Sequence, residues 1–339
     1  TPRFLFFRAT LHMSKPRIHV ARAIFPEVIE RLQQHFEVSS NQADEVPTRE
    51  QLVAALQGRQ GLLSTGSERI DDALLGACPD LKICANMAVG YNNFDVAAMT
   101  AHGVQGTNAP DVLTETTADL GFALVMAAAR RLAESEHFLR AGKWTKWSYD
   151  MFMGSDVHGS TLGILGMGRI GQGVARRGAH GFGMRVIYHN RSRLAPDVEA
   201  QCQARYVGKD ELLAEADHLV LVLPYTPENH HVIGAAELAR MKPTATIVNI
   251  GRGGLIDENA LVQALRERRL AAAGLDVFEG EPRINPALLS VPNVVLTPHI
   301  GSASRPTRLA MANLASDNLI DFFAGRDPRS PVNRLPARV

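Results

Sequence analysis

The sequence predicts an α/β protein built from two doubly wound parallel sheets. Three observations carry this expectation. Short apolar runs alternate with helical stretches along most of the chain. A glycine turn, G-M-G-R-I-G at residues 166–171, stands between an apolar run and a helical stretch. The 339 residues also exceed what a single core usually fills. Alternation of this kind implies parallel strands, because parallel neighbours must be joined by a crossover, usually a helix.

In chain order, Arg17–Ala21 (RIHVA), Gly61–Thr65 (GLLST) and Leu81–Ala85 (LKICA) are short apolar runs that predict strands. Between them, Pro26–His35, PTREQLVAAL and IDDALLGAC have helical spacing. Leu113–Arg131 is long, apolar and free of proline, so it predicts a buried helix, with Thr114 or Thr116 available to cap its start. TLGIL then leads into the glycine turn, and GQGVARR continues as a helix. MRVIYH, HLVLVLP, ATIVNI, AAGLDVF and NVVLTPH predict the remaining strands, with KDELLAEA, GAAELARM and DENALVQALRERR as the helices among them. RLAMANLASDNLIDFFAG predicts a C-terminal helix.

Bulk properties narrow the function. Charge is balanced at +1 with no basic tract or acidic tail, which argues against a nucleic-acid or membrane partner. No apolar run reaches the length of about 18 residues that a spanning helix needs. Cys78, Cys84 and Cys202 are odd in number and lack C-x-x-C spacing, so neither disulfides nor zinc are expected and the plain reading is a cytoplasmic protein. His230 and His231 are adjacent but have no partner at ligand spacing, so no metal is expected there either. FLFF near the start is too short for a signal-peptide core; Met13 reads as a natural start, and residues 1–12 as an extension outside the fold.

A strand, a G-x-G-x-x-G turn and a helix in succession form a dinucleotide-binding unit. Its glycines let the backbone approach a pyrophosphate whose charge sits at the helix N-terminus. An NAD site normally adds an acid about 20 residues on, to accept from the ribose 2′-hydroxyl. Here Asn190 stands 19 residues after Gly171 and is followed by Arg191, Ser192 and Arg193, with no acid. Two guanidinium groups and a hydroxyl suit a 2′-phosphate instead, each charge-assisted hydrogen bond contributing roughly 1.5–3 kcal/mol. NADP(H) is therefore the preferred dinucleotide, with NAD(H) used more weakly.

Three further residues follow strand ends: Arg252 in VNIGRGGLID, Glu281 in GLDVFEGEP and His299 in LTPHIGSA. Ligands of open α/β sheets bind beyond the carboxyl ends of the strands, so all three are directed to one edge. Their types suit reduction of a 2-oxo acid. Arg252 can hold a carboxylate in a two-point fork, His299 can give a proton to the oxo oxygen, and Glu281 can orient the imidazole.

Together GMGRIG, NIGRGGLIDENAL, AAGLDVFEGEP and TPHIGSA resemble the D-isomer-specific 2-hydroxyacid dehydrogenase family, over about residues 13–333. AVGYNNFD, TNAPDVLTETTADL and the basic HNRSR turn are most similar to its bacterial glyoxylate/hydroxypyruvate and 2-ketogluconate reductases. The resemblance implies a Rossmann coenzyme domain at about 113–296, inserted into a flavodoxin-like substrate domain at 13–112 and 297–335. A substrate cleft would lie between them. It implies that amides around Val89 and Gly90 hold the substrate carboxylate, with Ser302 a further substrate contact. Thr116, Met167, Gly168, Arg169, Ile170, Pro224, Ile250, Gly251, Asp276 and Gly301 would line the cofactor, with Asp276 near the nicotinamide amide. It also implies a homodimer through the coenzyme domain, with AGKWTKWSYDMFMGSD as the dimer arm. Three alternatives use the same fold: a dinucleotide-sensing corepressor, a phosphoglycerate-type dehydrogenase, which would favour an acid after the second strand, and a formate dehydrogenase, which would pair its His with Gln.

Overall fold

The computed structural model describes residues 14–335, so the stretch read as an N-terminal extension lies outside the described residues. The chain divides into two compact units. One runs to Pro110 and resumes at Arg308; the other is Asp111–Thr307.

Among the described residues the first unit has five parallel strands: β1 (Arg17–Val20), β2 (Glu37–Ser40), β3 (Gly61–Ser64), β4 (Ile83–Asn86) and β5 (Gln105–Thr107). Their spatial order is β2-β1-β3-β4-β5, the flavodoxin-like winding. The second unit has seven: β6 (Thr161–Leu165), β7 (Arg185–His189), β8 (Ala204–Tyr206), β9 (His218–Leu221), β10 (Thr246–Asn249), β11 (Ala272–Leu275) and β12 (Val294–Leu296). They are ordered β12-β11-β10-β9-β6-β7-β8, all parallel, with the chain reversing its winding direction after β8.

Two apolar cores explain the continuous hydrophobic runs of these strands. Leu162 and Ile164, Val186 and Tyr188, Val220 and Val248 belong to one core; Leu165, Ile187, Leu219, Leu221 and Ile247 belong to the other. Successive strand residues face opposite sides of a sheet, so a strand covered on both sides must be apolar throughout.

The strands without such runs are all edge strands: β2 (EVSS), β5 (QGT) and β8 (ARY). None of them was predicted. The exposed edge of β5 is covered by the C-terminal segment, where Asn333 Oδ1 accepts from Gly106 N at 2.7 Å and from Gln105 Nε2 at 2.9 Å.

Two expectations need correction. The predicted 113–131 helix spans Thr114–Ala129 and follows Leu113 with no side-chain cap; Arg131 adopts φ 53° and a second helix, Leu132–Arg140, begins. Thr116 does not cap but places its hydroxyl 2.6 Å from that of Thr307. The return to the first unit comes at 307/308, not 296/297. The reason is that the segment after β12 is bonded to the second unit, as described next.

Candidate active site

The glycine turn joins β6 to the helix Arg169–Arg176, with Gly168 at its N-cap. Gly166 has φ 103°, and a Cβ there would lie 2.8 Å from the Val222 carbonyl carbon; one on Gly171 would lie 2.4 Å from Gly166 O. These two glycines are therefore required by close packing. A Cβ on Gly168 would meet nothing within 4 Å, so the second glycine faces open space, as a cradle for a pyrophosphate requires. Met167 is buried, while Arg169 is exposed and pairs with Asp111 at 2.6 Å.

The basic turn after β7 is divided. Asn190 Oδ1 accepts from Met167 N at 2.6 Å, tying the turn to the glycine loop. Arg193 is turned back in a two-point fork onto Glu199, at 2.9 and 2.8 Å, and Tyr188 donates to the same carboxylate at 2.7 Å. The sequence places Arg193 in the phosphate site, but the structure engages its guanidinium with Glu199, although the side chain stays exposed like Arg191 and Ser192. Burial raises the Tyr188 phenol to about 12.

Arg252, Glu281 and His299 follow β10, β11 and β12, which are adjacent and in register at their ends: Asn249 opposite Leu275, and Leu275 opposite Leu296. Around Arg252, Asn249 Nδ2 donates to the Arg252 carbonyl at 2.8 Å and Asn249 Oδ1 accepts from Gly251 N at 3.0 Å. A Cβ on Gly253 would come within 1.9 Å of the Phe278 carbonyl carbon, so the R-G-G loop lies directly against the loop that carries Glu281. Burial lowers the Arg252 guanidinium from its ordinary value, and the Glu281 charge opposes that; arginine stays charged regardless.

His299 Nδ1 lies 2.7 Å from Glu281 Oε2. Burial alone would raise the Glu281 carboxyl, but the His299 hydrogen bond and charge, the Phe278 N–H and Arg252 outweigh it and hold it below the usual value. An ionised carboxylate only accepts, so the shared proton belongs to Nδ1 and Nε2 is left for other chemistry. The side chain of His299 is 50 % exposed, within reach of a ligand.

His299 itself has φ 52°. Its loop is held by Asp276, buried at the end of β11. Asp276 Oδ1 accepts from Thr297 Oγ1 at 2.7 Å and Ile300 N at 2.8 Å, Oδ2 accepts from Gly301 N at 2.8 Å, and the Asp276 carbonyl accepts from His299 N at 2.9 Å. Sequence reasoning assigned Asp276 to the cofactor and missed this clasp. It also missed Asn249 and Glu258, whose Oε1 accepts from Glu279 N at 2.8 Å.

Ile250 is buried, Ser302 is half-buried, and Pro224 is exposed beyond β9, where its carbonyl accepts from Asn229 Nδ2 at 2.7 Å. In the first unit, Val89 and Gly90 follow β4. The carbonyls of Ala88, Val89 and Gly90 accept from Ala109 N, Asn108 Nδ2 and Asn86 Nδ2 at 2.9, 2.8 and 3.1 Å.

A seven-stranded parallel sheet with this glycine turn, and an Arg, a Glu and a His on neighbouring strand ends, defines a dinucleotide-dependent oxidoreductase. The model of the D-isomer specific 2-hydroxyacid dehydrogenase NAD binding domain matches residues 122–301, 180 of the 339 positions. The glyoxylate reductase of Thermococcus onnurineus is 48 % identical over 94 % of this chain and 96 % of its own. That of Aeropyrum pernix is 46 % identical over 96 % and 98 %. The chain is also similar to the solved NADPH-dependent glyoxylate/hydroxypyruvate reductase of Sinorhizobium meliloti in complex with NADP and malonate. There the TM-score is 0.85 and the identity 36 %, covering 96 % of this chain and 99 % of that one. The chain belongs to the D-isomer-specific 2-hydroxyacid dehydrogenase family.

Proposed function

We propose that the protein reduces small 2-oxo acids to D-2-hydroxy acids, with NADPH preferred over NADH. Glyoxylate and hydroxypyruvate are the leading substrates, and 2-ketogluconate is a larger one. The observation that carries this reading is the Glu281–His299 pair beyond the ends of β11 and β12, with Arg252 beyond β10, the neighbour of β11. Arg252 holds the substrate carboxylate and draws charge from the oxo group. Glu281 keeps the proton on His299 Nδ1, which directs Nε2 to protonate the developing alkoxide. The reduced nicotinamide, when bound, supplies the hydride to the carbonyl carbon.

Thr116, Met167–Ile170, Pro224, Ile250, Gly251 and Gly301 are the proposed dinucleotide lining, with Asn190, Arg191 and Ser192 at the 2′-phosphate. The backbone amides of Val89 and Gly90 are proposed donors to the substrate carboxylate. Supporting this, the three carbonyls of their loop are engaged by inward donors, and a loop so held turns its N–H groups the other way. Ser302 is proposed as a further substrate contact. NADPH preference is supported by the lack of an acid at 190–193 and by the S. meliloti relative, which is NADPH-dependent.

The test is an initial-rate panel crossing NADPH and NADH with glyoxylate, hydroxypyruvate, pyruvate and 2-ketogluconate. NADPH oxidation with the first two is the expected result, and His299→Ala should lower kcat by about 10²-fold or more. Absence of turnover on every 2-oxo acid would leave a sensing role in its place.

A further inference from the structure

His230 and His231 acquire in the fold the partner that their sequence context lacks. Glu279, 48 positions further on, places Oε2 3.0 Å from His231 Nε2. One donor atom from each of His230, His231 and Glu279 lies within 4.8 Å of the others. We propose that these three residues bind a transition-metal dication of the Zn²⁺ class. None of the three is among the residues assigned to hydride and proton transfer, although Glu279 stands two positions before Glu281.

The backbone is arranged for it. His231 adopts φ 51°, which brings the two adjacent imidazoles together in a stack with centroids 3.7 Å apart, so the rings are close but must rotate for both to point a nitrogen at one ion. His231 N donates to Gly254 O at 2.8 Å and Val232 N to Asn229 O at 3.1 Å, so the turn is fixed on both sides. Tetrahedral zinc with bonds of about 2.0–2.1 Å needs donor atoms about 3.4 Å apart. The His231–Glu279 pair is already inside that spacing, and His230 must rotate out of the stack and away from Tyr225 Oη, 3.3 Å from its Nδ1, to complete the set.

The surroundings favour added positive charge. Buried Glu258 accepts from Glu279 N at 2.8 Å. Asp257 and Arg283 border the same open cleft of about 330 Å³, so one cation faces three carboxylates there. Two imidazole nitrogens and one carboxylate select zinc, cobalt, nickel or copper over magnesium or calcium, which require oxygen donors. Three protein ligands leave at least one position for water.

Direct titration tests the proposal without reference to turnover. Tag-free full-length protein, stripped with chelator, is titrated with ZnCl₂ by calorimetry and with CoCl₂ by visible spectroscopy. The expected result is one ion per chain, with Co²⁺ d–d bands of a four- or five-coordinate site. Affinity should fall at least tenfold in His230→Ala, His231→Ala and Glu279→Gln, and stay unchanged in the exposed control His137→Ala. Circular dichroism confirms that each variant is folded. No binding to the folded wild-type protein, or binding equally tight in the three variants, overturns it.

Discussion

The buried carboxylate of Asp276 receives the backbone N–H of Gly301 at 2.8 Å, and its second oxygen receives those of Ile300 and the Thr297 hydroxyl. A single side chain at the end of β11 therefore fixes the loop on which His299 stands. Asp276→Asn presents an NH₂ to at least one of these donors and leaves it unsatisfied, at a cost of about 1–3 kcal/mol. We expect kcat on glyoxylate to fall about 10- to 100-fold while dinucleotide affinity, measured by fluorescence quenching, changes little. Lost dinucleotide affinity with kcat intact would assign Asp276 to the nicotinamide instead.

With the 2′-phosphate at the basic turn as proposed, the division of that turn separates cofactor choice from folding. Arg191→Ala should reduce the NADPH:NADH ratio of kcat/KM about tenfold or more, the worth of one charge-assisted contact. Asn190→Asp keeps an acceptor for Met167 N but adds the repelling charge, and should move the ratio further toward NADH. Arg193→Ala should leave the ratio nearly unchanged and lower thermal stability, because it strips Glu199 of its guanidinium. A ratio that responds only to Arg193 would refute this division.

The segment proposed as the dimer arm concentrates exposed apolar side chains. Trp147 is 72 % and Tyr149 88 % exposed, and Trp144 and Met153 are more than half exposed, as are Leu132 and Leu139 of the helix that precedes the segment. Such a patch is costly on a monomer. Light scattering coupled to gel filtration should give twice the chain mass of 36.9 kDa. Trp147→Asp combined with Tyr149→Asp should give single chains that remain folded. A monomeric wild-type protein would remove the proposal.

Two buried histidines predict how stability depends on pH. Burial lowers His218, which bonds Thr246 Oγ1 at 2.8 Å, and Lys242 adds to the effect against the Asp156 carbonyl and Asp217 charge. Burial and the Arg59 charge likewise lower His19, against Glu68. Both are below the ordinary value of 6.5, so the unfolded chain takes up their protons first as pH falls. Their stabilising share is complete above about pH 6.5 and is lost below it, about 1.4 kcal/mol for each unit of depression. Urea midpoints should fall from pH 7.0 to 5.5, and less so in His218→Gln. An equal fall in both proteins would exclude His218 as a source.

Much of this was legible in the sequence because the signals are local. Leu162, Ile164 and Val248 are apolar because strands covered on both faces must be, and the run announces the strand. Gly171 packs on the Gly166 carbonyl within a single turn, and Arg252, Glu281 and His299 each follow such a strand. The edge strands β2, β5 and β8 were not legible, since EVSS, QGT and ARY carry no apolar run. The tertiary structure alone decided which polar groups meet. It turned Arg193 away to Glu199, gave Asp276 the loop of His299, and brought Glu279 to His231 across 48 positions. A hydrogen bond depends on distances of about 3 Å, and only the packed chain sets such distances between residues far apart in sequence.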